Sequence, residues 1–149
     1  MRIADICTRQ VVSTDAAVSV HEAAEMMRKH HVGSLVVTEQ PNGERIPIGF
    51  ITDRDIVLAV VAVGISTDAL MVSDIMNRNV ATCTENEDIF DAIETMRARG
   101  VRRLPVLDSG GGLTGMLSAD DIYGALGTHM RELGAALTHE QAHEMNARI

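Results

Sequence analysis

The chain repeats itself, and this repeat constrains its fold more than any other feature of the sequence. A shift of 69 positions places residues 5–37 on residues 74–106 without a gap. Eleven pairs are then identical: Asp5/Asp74, Ile6/Ile75, Arg9/Arg78, Val11/Val80, Ala23/Ala92, Glu25/Glu94, Met27/Met96, Arg28/Arg97, Val32/Val101, Leu35/Leu104 and Val37/Val106. Chance would give about two identities in such a window. Two copies indicate an internally duplicated domain, because a solenoid needs at least three.

Each copy has the same order of predicted elements. Short extended pieces at 11–13 and 80–82 precede helices at 20–30 and 89–99, which Ser19 and Asp88 are suited to cap. Two strands follow in each copy, at 34–38 and 48–52 and then at 104–107 and 113–118. A second helix closes each copy, at 54–63 and 120–126. The sequence therefore predicts an α+β fold of two pseudo-twofold-related β-α-β-β-α repeats, 1–68 and 69–128, with a short helical tail at 129–149.

Charge and apolar content restrict the partners of such a chain. Lys and Arg total 13 against 21 Asp and Glu, which gives a formal charge of −8 and disfavours nucleic acid and membrane surfaces. The longest apolar run, residues 56–63, is far shorter than the ~20 residues of a membrane span. The N-terminus lacks the apolar run of a signal peptide, so we expect a cytoplasmic protein whose Cys7 and Cys83 are reduced.

The predicted helix at 56–63 is apolar on all sides. A surface helix normally has a polar face, so burial on two sides is expected here. In a domain this small, the second side would meet another subunit. The sequence therefore predicts a homodimer that uses the second helix of each repeat.

The same turn motif stands before both second helices. Residues 49–55 read Gly-x-x-Thr-x-x-Asp and residues 115–121 read Gly-x-x-Ser-x-x-Asp. One interpretation is structural, since a hydroxyl followed three residues later by an acid forms a capping box. The other is functional: a helix N-terminus attracts phosphate, a carboxylate accepts hydrogen bonds from ribose hydroxyls, and glycine admits a ligand close to the backbone.

The duplication, these two turns and the Val-Arg-Arg-Leu-Pro-Val segment at 101–106 together resemble a tandem CBS domain pair, or Bateman module, over residues 2–128. The resemblance implies a regulatory, non-enzymatic module that binds an adenosine ligand between its repeats. AMP, ADP and ATP are the expected ligands, with S-adenosylmethionine or NAD less favoured. Such modules form flat dimers and signal to an effector protein, often in energy sensing.

The resemblance also implies two clefts, each formed by one repeat's Asp turn and the other repeat's strand region. The residues implied for the first cleft are Thr52, Arg54, Asp55, Met76, Val80, Ala81, Arg102 and Arg103. Those implied for the second are Ser118, Asp121, Val12, Val32, Gly33 and Ser34, with Cys7 near the base. Because the second cleft has the acidic Asp120 beside its Asp and no cation among these partners, we expect phosphate-bearing nucleotide to prefer the first.

A second motif lies near the C-terminus. His139, Glu140 and His143 match H-E-x-x-H, which on a helix places two potential zinc ligands on one face. Thr138 and Gln141 also form a capping pattern, which explains the segment as a short helix. The sequence therefore favours a nucleotide-binding regulatory module. A ligand-free dimerisation or scaffold module is the alternative, and a zinc metalloprotease is a remote one.

Overall fold

The computed structural model describes residues 1–148 and gives each repeat its own three-stranded sheet. The strands are β1 (Ser13–Thr14), β2 (Ser34–Glu39), β3 (Ile46–Thr52), β4 (Cys83–Thr84), β5 (Arg103–Leu107) and β6 (Leu113–Ser118). In both sheets the first strand runs parallel to the central strand, and the third runs antiparallel to it. The α+β fold is thus confirmed, although β1 and β4 begin two or three residues later than the predicted extended pieces.

The first helix of each repeat has the predicted bounds. Helix α1 (Val20–His30) begins with a complete capping box, because Ser19 Oγ accepts the Glu22 N–H at 3.1 Å and Glu22 Oε2 accepts the Ser19 N–H at 2.9 Å. Helix α4 (Ile89–Arg99) begins at Asp88, whose side chain accepts a backbone N–H. Both helices end on a residue in the left-handed conformation, which allows the chain to turn into the central strand.

The second helices differ from their predicted form. The helix of the first repeat starts as α2 (Asp53–Ile56) and continues as a π-helical turn (Val57–Val61), in which the Ala62 N–H donates to Val57 O at 2.8 Å. Within the chain only one side of this helix is buried, through Ile56 and Val60. Its opposite side is apolar and exposed.

The C-terminal helix is longer than predicted. Helix α5 (Ala119–Ala147) combines the second helix of the second repeat with the predicted tail in 29 continuous residues, about 43 Å. The expected helix start at Thr138 is wrong, because Thr138 Oγ1 donates to Gly134 O at 3.0 Å within the helix. Residues 128–148 are exposed. Among residues 1–148, no helix has the length and apolar character that crossing a membrane requires.

The repeats exchange the segments that lead into them, residues 1–8 and 70–77. Ile3, in a short 3₁₀ turn, is fully buried in the core of the second repeat, and its N–H donates to Glu87 O at 3.0 Å. Val72, at the start of α3 (Val72–Ile75), is fully buried in the core of the first repeat, and its N–H donates to Val18 O at 2.9 Å. The boundary predicted after residue 68 therefore separates the repeats along the chain, but each hydrophobic core contains residues from both sides of this boundary.

Candidate functional site

Both Asp turns form the capping boxes that their sequences predict. Asp55 Oδ2 accepts the Thr52 N–H at 2.9 Å, and Thr52 Oγ1 accepts the Asp55 N–H at 3.1 Å. In the second turn, Asp121 Oδ2 accepts from both the N–H and the hydroxyl of Ser118, at 2.8 and 2.7 Å. Capping engages one carboxylate oxygen of each aspartate, and both aspartates also line clefts. The structural and functional interpretations of the motif are therefore compatible.

The first cleft lies between the Asp55 turn and the second repeat, and we call it the Asp55 cleft. Its volume is about 250 Å³. It is lined by Phe50, Thr52, Asp55, Asn77, Asn79, Val80, Ala81, Val101, Arg102, Arg103 and Pro105. The structure thus brings together six of the eight residues expected here, namely Thr52, Asp55, Val80, Ala81, Arg102 and Arg103.

Two residues expected in the Asp55 cleft do not line it. Met76 is only 8% exposed, because it follows α3 and packs in the core of the first repeat against Gly49. Arg54 is exposed on the first turn of α2 and is absent from the cleft wall. Sequence reasoning missed the backbone pairing of Phe50 with Asn77, through bonds of 2.9 and 2.8 Å, which brings both residues into the wall.

The second cleft, which we call the Asp121 cleft, has a volume of about 280 Å³. It is lined by Thr8, Gln10, Val11, Val12, His31, Val32, Gly33, Ser34, Arg103, Met116, Ser118 and Asp121. All six residues expected to bind here line this cleft. Cys7, expected near the base, instead packs against the second core and does not line the cleft.

The charges of the Asp121 cleft differ from the expectation. Gly33 and Ser34 carry no charge, as expected, but Arg103 also lines this cleft and supplies a cation that the expectation did not include, and the imidazole of His31 lines it as well. The prediction missed Arg103 because this residue lies within the second repeat itself, at the start of β5. Asp120 is also not part of the cleft wall. It is exposed, and its Oδ1 lies 3.5 Å from Arg102 Nη2.

The glycines of the two turn motifs serve the exchanged segments rather than a ligand. A Cβ at Gly49 would lie 2.5 Å from Met76 Sδ, and one at Gly115 would lie 3.0 Å from Thr8 O and 3.1 Å from Cys7 Sγ. Neither glycine lines a cleft, so the close approach that these positions permit is made by protein atoms. Each makes room for the lead-in segment that packs across the sheet.

The cysteines and the H-E-x-x-H motif form no second site among residues 1–148. Burial raises the pKa of the Cys83 thiol to about 12, and burial also raises the pKa of Cys7. Both thiols are free. His139 and His143 lie on the exposed part of α5, and in the described chain no three His, Cys, Asp or Glu side chains are grouped to hold a metal.

Comparison with known proteins gives the same family for both repeats. The family model described as CBS domain matches residues 3–62 and 72–128. An uncharacterized protein, MK0525 of Methanopyrus kandleri, is 34% identical over 120 residues, which are 80% of this chain and 60% of that protein. The CBS domain-containing protein YhcV of Bacillus subtilis is 32% identical over 145 residues, 95% of this chain and 98% of YhcV.

A solved structure shares both the fold and part of the sequence. The CBS domain protein PAE2072 from Pyrobaculum aerophilum, complexed with AMP, superposes with a TM-score of 0.73 at 29% identity. The match covers 81% of this chain and 89% of that one.

Proposed function

The chain belongs to the CBS domain family, and from this premise we propose that it binds an adenine nucleotide of the AMP, ADP or ATP type between its repeats. Binding would regulate an effector protein, and the module would work in the cytoplasm as a sensor of energy state. S-adenosylmethionine and NAD are the less favoured ligands. No catalytic step is assigned to the chain.

The observation that carries this proposal is the composition of the Asp55 cleft. It combines a carboxylate that can accept from ribose hydroxyls with two guanidinium groups that can bind phosphate. Val80, Ala81 and Val101 supply apolar surface for a base. Its volume of about 250 Å³ is slightly below the ~300–1,000 Å³ of small-molecule sites. The AMP-bound relative supports the same ligand class.

The two clefts would differ in their preference for phosphate. The Asp55 cleft contains two arginines, whereas the Asp121 cleft contains Arg103 and a histidine. We therefore expect a phosphate-bearing nucleotide to prefer the Asp55 cleft. The Asp121 cleft would bind it more weakly or take an uncharged nucleoside.

Signalling would depend on the position of both clefts between the two repeats. Residues of both repeats line each cleft, so a bound nucleotide contacts both. A ligand stabilises whichever arrangement of the repeats it binds more tightly. An effector protein that also distinguishes those arrangements would then be coupled to the nucleotide concentration.

Thermal unfolding in the presence of AMP, ADP, ATP, S-adenosylmethionine or NADH tests the proposal. A ligand at a hundred times its Kd adds about 2.7 kcal/mol, which should raise the Tm of a chain this size by roughly 5–10 °C. We expect a shift with an adenine nucleotide that becomes smaller in Asp55→Ala, which leaves only the Asp121 cleft intact. The absence of any shift, with protein verified to be ligand-free, would contradict nucleotide binding and favour the scaffold alternative.

A homodimer is the second part of the proposal, and it has its own observation. The exposed fractions of Val57, Leu58, Val61 and Val63 are 52, 53, 61 and 64%. Tyr123 on α5, the corresponding helix of the second repeat, is 73% exposed. Such apolar surface on the second helix of each repeat suits a subunit interface.

Light scattering of wild type and Val61→Asp tests this interface. We expect a wild-type dimer at micromolar concentration and a shift towards monomer in the variant, because a charge would be buried without a partner. Thr67→Asp, beyond this helix, is the control and should remain dimeric. A monomeric wild type would contradict the proposed interface.

A further inference from the structure

One arginine lines both clefts. Arg103 is the first residue of β5, where it pairs with Ser118 of the adjacent strand, and it is exposed. It belongs to the walls of both the Asp55 cleft and the Asp121 cleft. Of the residues lining these two clefts, Arg103 alone is shared.

The other two basic side chains that line a cleft each belong to one cleft only. Arg102 lines only the Asp55 cleft and lies 3.5 Å from the carboxylate of Asp120. His31 lines only the Asp121 cleft. The Asp121 cleft therefore has a single guanidinium group, and it is the one that the Asp55 cleft also contains.

We propose that the two clefts compete for Arg103, so that each chain holds one phosphate-bearing nucleotide tightly and accepts a second only with reduced affinity. This inference rests on the proposed nucleotide binding. A guanidinium group carries a single charge, and when one phosphate holds it in a bidentate manner its planar donors are oriented towards that phosphate. When a nucleotide in the Asp55 cleft engages Arg103, a second phosphate meets the Asp121 carboxylate without that counter-charge. A neutral nucleoside in the Asp121 cleft does not depend on Arg103.

Calorimetric titrations with AMP and adenosine test this competition. Asp55→Ala isolates the Asp121 cleft, and Asp121→Ala isolates the Asp55 cleft. We expect the second AMP to bind wild type at least about tenfold more weakly than AMP binds Asp55→Ala, as loss of one charge-assisted hydrogen bond implies. Adenosine should bind the Asp121 cleft with the same affinity whether or not AMP fills the other. Equal affinity for the second AMP and for AMP in Asp55→Ala would overturn the inference, as would a complete lack of AMP binding by Asp55→Ala.

Variants of two neighbouring arginines distinguish a residue that serves both clefts from one that serves a single cleft. Arg103→Ala should weaken AMP binding about tenfold in both single-cleft backgrounds and leave adenosine binding unchanged. Arg102→Ala, the matched control, should weaken AMP binding only in Asp121→Ala. An effect of Arg103→Ala in one background alone would overturn the sharing. Failure of wild type to bind AMP, ADP, ATP or adenosine at all would instead contradict the proposed function, so the two failures are distinguishable.

Discussion

Replacing Asp55 by asparagine and by alanine separates the two roles that the structure gives this side chain. Its Oδ2 accepts the Thr52 N–H at 2.9 Å and completes the capping box of α2. The carboxylate also lines the Asp55 cleft, where it would accept from ribose hydroxyls. Asparagine keeps a carbonyl oxygen for the cap, but its NH₂ group only donates and cannot replace the second acceptor.

The expected magnitudes differ for stability and for binding. Loss of the cap in Asp55→Ala should lower the free energy of unfolding by about 1 kcal/mol, which is roughly 3–4 °C in Tm for a chain of this length. Asp55→Asn should stay within about 1 °C of wild type. Hydrogen bonds to a charged group contribute about 1.5–3 kcal/mol each, so loss of two should weaken AMP binding at the Asp55 cleft by at least about a hundredfold in both variants.

Differential scanning fluorimetry and calorimetric titration with AMP measure the two effects on the same samples. Asp53→Asn is the matched control, since it removes a charge from the same turn at an exposed residue that does not line the cleft. It should bind AMP within about threefold of wild type. Wild-type affinity in Asp55→Asn, or an equal loss in Asp53→Asn, would refute a specific role of the Asp55 carboxylate.

Three further substitutions or reactions test the packing of the fold. Gly49→Ala should destabilise the chain by about 1–3 kcal/mol in chemical denaturation, because its Cβ would lie 2.5 Å from Met76 Sδ. Gly124→Ala, whose Cβ would meet nothing within 4 Å beyond the backbone of its own helix, should be neutral or stabilising. Native Cys83, with a pKa of about 12 against an ordinary 9.0, should react with iodoacetamide at pH 8 roughly a thousandfold more slowly than in urea, and comparable rates by mass spectrometry would contradict its burial. His31→Gly should raise the free energy of unfolding by up to about 1 kcal/mol, because His31 has a φ of 55°, and an unchanged denaturation midpoint would show that this conformation is unstrained.

Local signals in the sequence were sufficient for most of the scaffold. Ser19 and Glu22 predict the start of α1, and the Thr52 and Ser118 turns predict capping boxes, because each of these interactions spans three residues. The repeat supplies the order of the elements without any knowledge of distant contacts. The same kind of local pattern gave a wrong prediction at Thr138, because this residue lies inside α5 and does not begin a helix.

The features that sequence reasoning missed depend on contacts between distant parts of the chain. Met76 lies close in sequence to the cleft residues Asn77 and Val80, yet its side chain points into the core of the first repeat, because α3 is exchanged between the repeats. Arg103 lines a cleft with residues about 70 positions earlier in the chain, such as Ser34. The repeat aligns these two positions with each other, but alignment of equivalent residues does not reveal that they share a cleft.

The exchanged lead-in segments link the hydrophobic cores to both clefts. Asn77 ends the segment that packs on the first repeat, and it lines the Asp55 cleft. Thr8 ends the segment that packs on the second repeat, and it lines the Asp121 cleft. Any rotation of one repeat against the other must therefore move a strand-paired segment as well as a cleft wall. Because the two segments are buried through Ile3 and Val72, only small rotations preserve both cores. A nucleotide that contacts both repeats would thus select among a few closely related arrangements, which suits a switch with small amplitude.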